Sequence, residues 1–162
     1  MVSVPREAYT RNGAYLVVPP LAISFGLWGL LPEGYAPETF DAAAPAWLRL
    51  GENILRTLVL ALPLGLRIST DCRGGWITYA VGLVAYLGSY LWLAAWPDGR
   101  WATSAVGFTA PAWTPALWML GIAMICRTSW VTTRWKWWTY LVVVAAFLGF
   151  HVGHTGMVWS GS

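Results

Sequence analysis

The sequence predicts an all-α integral membrane protein: a bundle of five transmembrane helices with the N-terminus inside and the C-terminus outside. Three observations predict it. Hydrophobic residues make up 57% of the chain and charged residues only 10%, against about a quarter charged in an average soluble domain. The apolar residues gather into five runs, near 14–31, 48–68, 76–96, 105–126 and 137–159, each close to the roughly 20 residues a helix needs to cross a hydrocarbon core of about 30 Å. The basic residues then fall between the runs with a bias that sets orientation. Residues 1–162 are read as a single membrane domain, since an added soluble domain would need roughly 50 residues or more. The bacterial inner (plasma) membrane is the expected location.

The first run contains Pro19 and Pro20. It follows a segment without a continuous apolar core before Ala14 or a cleavage pattern, so it is expected to stay in the mature chain. The outer loop, 32–47, reads PEGYAPETFDAAAPAW, with three acids and three prolines; it suits either a lid over the bundle or a solvated linker. The second run carries Arg49, Glu52, Asn53 and Arg56 in its first half, and the third offers Tyr86, Ser89 and Tyr90. In the fourth, Pro111 and Pro115 each lack a backbone donor and free a carbonyl one turn earlier. The fifth has two histidines and three glycines near its end, which leaves a four-span count with one interfacial segment as the competing topology.

Orientation follows from loop charge. An inside N-terminus places Arg6, Arg11, Arg67, Arg73, Arg127, Arg134 and Lys136 inside against Arg49 and Arg100 outside, with Glu33, Glu38 and Asp41 also outside. Trp47, Trp76, Trp96, Trp101, Trp135, Trp137, Trp138 and Trp159 fall at the expected interfaces, which suit an amphipathic indole. Trp28, Trp92, Trp113 and Trp118 lie deeper and suit either pocket walls or packing. The net charge of +3 comes from scattered basic residues that form no patch able to follow a phosphate backbone, so nucleic acid is not an expected partner. Cys72 and Cys126 have no zinc-type spacing.

The polar residues concentrate in the outer half. At 1.5 Å per residue Glu52 lies about 8 Å and Arg56 about 14 Å below the outer boundary, and Arg49, Glu52 and Arg56 share one helix face. His151 and His154, on the oppositely directed fifth helix, reach about 12 and 8 Å. An ionisable group at such depth costs roughly 2.5–3.5 kcal/mol and normally pairs or faces a cavity. Glu52 and Arg56 alone suit a structural ion pair, and lone histidines suit a hydrogen bond to a neighbouring helix. The shared depth instead predicts an outer-leaflet pocket in which Glu52 and the histidines converge, His151 being the expected primary contact and His154 the one free to reach toward the interface.

Three chemistries compete for that pocket. Glu52, His151 and Arg56 suit acid/base catalysis on a lipid-like or other amphipathic small molecule, with Arg56 holding an anionic head group. Glu52, His151 and His154 form a three-ligand set for a divalent metal. One histidine alone suits a haem or pigment ring. Asn53, Tyr86, Ser89, Tyr90, Trp113 and Thr114 are the expected ligand-binding walls. Both an enzyme and a binding protein fit these residues, and membrane lipid is the expected surrounding partner. The alternative is a non-catalytic accessory subunit of a larger membrane complex, or a homo-oligomer, because Gly82, Tyr86 and Ser89 with Gly107, Ala110 and Thr114 suit close helix packing.

Overall fold

The computed structural model describes residues 10–132, 134 and 136–161. Arg6, Trp135 and Ser162, to which the sequence assigns positions relative to the membrane, lie outside the described residues. The Asn12 side chain accepts from the Ala14 amide at 2.9 Å and caps a short 3-10 turn, Gly13–Leu16. Helix α1, Val18–Leu27, follows, with Pro19 and Pro20 in the first turn, where a missing N–H removes no helical bond. A 3-10 turn, Trp28–Leu30, extends it. The loop after it is structured: a turn at Glu33–Tyr35 leads into α2, Pro37–Ala43.

Helix α3 spans Ala46–Ala61 and ends in a 3-10 turn, Leu62–Gly65, that contains Pro63. A two-residue strand, β1 (Leu66–Arg67), precedes α4, Arg73–Ala95. The fourth run is divided into α5 (Ala105–Phe108), α6 (Ala110–Trp113) and α7 (Pro115–Ile125), with breaks at Thr109 and Thr114, shortly before Pro111 and Pro115, the prolines expected to disturb the ladder. Strand β2, Thr128–Ser129, pairs antiparallel with β1, and α8 runs Trp137–Gly161. Among the described residues, three segments are long and apolar enough to cross a membrane: Gly13–Leu30, Arg73–Ala95 and Trp137–Gly161. The all-α character is therefore plain, and the three segments fit a membrane location. The second run falls short because α3 has 16 residues and carries three charges, and the fourth because its longest apolar stretch is Ala110–Ile125.

Small residues set the tightest contact, between α4 and α7. A Cβ on Gly82 would lie 2.3 Å from the Trp118 backbone nitrogen, and one on Gly121 2.6 Å from the Tyr79 backbone. The expected packing residue Gly107 instead meets the Trp101 backbone of its own preceding loop. The main core, which includes Tyr79, Tyr86, Trp118, Ile122, Tyr140 and Phe147, joins α4, α7 and α8. A second cluster of Tyr35, Phe40, Leu93, Phe108 and Val158 lies under the 32–45 segment. Hydrogen bonds define the two ends: Asn12, β1 and β2 meet at one, while Tyr35 donates to the Phe108 carbonyl and Trp159 to the Thr103 carbonyl at the other.

Candidate functional site

The i, i+3, i+4 rows of α3 place Arg49, Glu52, Asn53, Arg56, Val59 and Leu60 on the wall of a cavity of about 320 Å³. Helix α8 runs beside α3, and Gly51 permits that approach: a Cβ there would meet the Phe150 ring at 2.3 Å. His151 and His154, one turn apart on α8, consequently both reach Glu52. Glu52 is 2% exposed. Its Oε1 accepts from Arg56 and, at 2.9 Å, from His151 Nδ1, while its Oε2 lies 2.6 Å from His154 Nδ1. The expected convergence of α3 and α8 residues on one cavity is thus observed, with the acid, both histidines and Arg56 in its lining.

The order of the histidines is the reverse of expectation. His154 is the more enclosed, at 4% exposure, because α2 folds over it. The Phe40 ring packs against the His154 ring at 4.8 Å, and His154 Nε2 donates to the Phe40 carbonyl at 2.9 Å. A carbonyl can only accept, so Nε2 carries a proton and the Nδ1 contact uses the other nitrogen. His151 stacks on Phe147 at 5.1 Å, and its Nε2 has no protein partner among the described residues. The metal-ligand expectation for Glu52, His151 and His154 is corrected accordingly: the three meet through hydrogen bonds that occupy both His154 nitrogens, and no group of three or more His, Cys, Asp or Glu among the described residues is placed to hold a metal ion.

The 32–45 segment is a cap rather than a solvated linker. Pro37, Phe40 and Asp41 line the cavity, and Asp41 lies 3.8 Å from Arg49 across its rim. Tyr35 anchors the cap by donating to the Phe108 carbonyl, and burial pushes its phenol well above the ordinary range, which keeps it a donor. The facing wall comes from α1 and α4. Ser24 donates to the Pro20 carbonyl at 3.0 Å, which leaves its oxygen to accept from Tyr86 at 2.6 Å, and Tyr86 in turn accepts from Tyr90 at 3.1 Å.

Of the expected walls, Asn53, Tyr86 and Tyr90 line the cavity, whereas Ser89, Trp113 and Thr114 do not. Ser89 donates to the Tyr86 carbonyl and Thr114 to the Ala110 carbonyl, both at 2.7 Å, so each hydroxyl turns back onto its own helix within the packed interface. Trp113 donates to the Val106 carbonyl at 3.1 Å. Trp28 and Trp118 line the cavity, while Trp92 and Trp113 are surface residues outside it. Sequence reasoning missed Ser24, Phe25, Tyr35, Phe40, Met119 and Phe147. The aromatic and proline content of 32–47 was the one signal of the cap; the α1 wall had only Trp28. No protein-family model matches the chain, and no curated protein or solved structure is significantly similar to it.

Proposed function

We propose that the chain is a five-span protein of the bacterial inner membrane, N-terminus inside and C-terminus outside, whose outer-half cavity binds a lipid-like or other amphipathic ligand. The observation that carries this reading is the division of the cavity's lining between charged and imidazole groups, Glu52, Arg56 and His151, and apolar side chains that include Phe25, Trp28, Trp118, Met119 and Phe147. Such a division, on a volume of about 320 Å³, suits a small molecule with a single polar head. The spans and orientation draw support from the two ends. Asn12 meets the β1–β2 loops, which are rich in Arg67, Arg73, Arg127 and Lys136, while the cap with Glu33, Glu38 and Asp41 covers the opposite end.

Acid/base chemistry, where the ligand offers a proton, belongs to His151. Glu52 has all its contacts committed and acts as an orienting acceptor: it fixes His151 through Nδ1 and leaves Nε2 toward the cavity, the arrangement a general base needs. The binding reading is tested by purifying the protein in zwitterionic nanodiscs and measuring retention of a radiolabelled C12 amphipath. Leu21→Trp, on the α1 wall, should abolish retention without unfolding the bundle. Equal retention by wild type and Leu21→Trp would overturn the cavity as the binding site.

A further inference from the structure

The lining of the cavity carries a positive charge that no described residue balances, and the position of the shared protons does not alter this. His154 Nε2 must hold a proton to bond the Phe40 carbonyl, and the 2.6 Å contact between His154 Nδ1 and Glu52 Oε2 contains one more. Whether that second proton resides on nitrogen or oxygen, the Glu52 and His154 pair sums to zero. His151 bonds Glu52 Oε1 through Nδ1–H and contributes zero with Nε2 unprotonated, or a further positive charge with it protonated. Asp41 and Arg49, 3.8 Å apart at the rim, balance each other. The remaining ionisable lining groups, Tyr35, Tyr86 and Tyr90, serve as neutral hydroxyl donors. Arg56 is left over, a permanent cation whose side chain is 45% exposed.

We infer that the ligand is an amphipath with a monoanionic head group, held by the Arg56 guanidinium with its apolar tail along Phe25, Trp28 and Trp118. This rests on the cavity being the binding site proposed above. An apolar-walled site with an unbalanced cation selects against a neutral or cationic head, because a head that supplies the missing charge forms charge-assisted bonds that the others cannot. Two sources offer such a head: a free long-chain carboxylic acid, and an anionic phospholipid of the surrounding bilayer.

The test is head-group competition in phosphatidylcholine nanodiscs, with radiolabelled dodecanoate as the probe and dodecan-1-ol and dodecylamine as competitors of equal chain length. Dodecanoate is expected to bind wild type at least about tenfold more tightly than either competitor. Arg56→Gln should remove that preference, and Arg56→Lys should retain most of it. Should Arg56→Gln fail to fold, the wild-type preference and Arg56→Lys still decide. Dodecan-1-ol binding as tightly as dodecanoate in wild type overturns the anionic head and leaves the cavity reading intact; absence of binding by all three amphipaths overturns the cavity reading itself. Adding phosphatidylglycerol to the discs distinguishes the sources: displacement of dodecanoate assigns the site to the lipid, and undiminished binding assigns it to the free acid.

Discussion

His154 donates from Nε2 to the Phe40 carbonyl at 2.9 Å and thereby ties the cap helix α2 to the charged centre of the bundle. The same ring shares its second nitrogen with Glu52. One imidazole therefore carries both the closure of the cavity and the satisfaction of a buried carboxylate, so changes at His154 should read out at two separate places.

Replacing His154 with Leu leaves the Phe40 carbonyl and Glu52 Oε2 without a protein donor. Each orphaned buried group costs about 1–3 kcal/mol, more when charged, so a loss of about 3 kcal/mol is expected by reversible unfolding in mixed micelles. Limited proteolysis should also cut within 36–45 faster than in wild type. A variant with normal stability and an equally protected cap would show that the His154 bridge holds neither.

Glu52 and Arg56 should be unequal partners. Glu52→Gln removes the charge that faces Arg56 and turns one of the two acceptor oxygens into an NH2 donor that opposes a histidine nitrogen, and about 3 kcal/mol is expected. Arg56→Gln should cost about 1 kcal/mol, because nearly half of that side chain is exposed and screened. The double variant should lose less than the sum of the singles. Strict additivity in unfolding experiments would mean that the two groups do not interact.

The α4 and α7 contact predicts a contrast among glycines. Gly82→Ala and Gly121→Ala force a methyl into opposing backbone and should each destabilise by about 1–3 kcal/mol. Gly149→Ala and Gly153→Ala point into open space and should be neutral or stabilising by up to about 1 kcal/mol. A thermal-stability series in one detergent measures all four together.

Orientation is testable at the loops that join the ends. In a background of Cys72→Ser and Cys126→Ala, a cysteine at Asp98 should react with an impermeant maleimide added outside intact cells, and a cysteine at Asp71 should react only after permeabilisation. The opposite pattern would invert the bundle and place the cavity in the inner leaflet.

The sequence by itself determined the helical runs and the meeting of Glu52, Arg56, His151 and His154. Charged and imidazole groups within apolar runs are costly unless paired, and matching depth left them few partners other than one another. Its limits appear where partners are ordinary atoms. The Phe40 carbonyl that fixes His154 is a backbone group which every residue carries, so nothing in the sequence distinguishes it. Ser24 and Phe25 read as part of one more apolar span, and only packing decides that their face closes the cavity opposite Glu52. Ser89 and Thr114 show the converse error: hydroxyls at suitable depth are satisfied by their own helices at 2.7 Å, a local bond that composition does not reveal. Depth along a helix can be counted from the sequence. Enclosure depends on what folds over that depth, which is why His154, the shallower of the two by the sequence count, is the better buried of the two histidines.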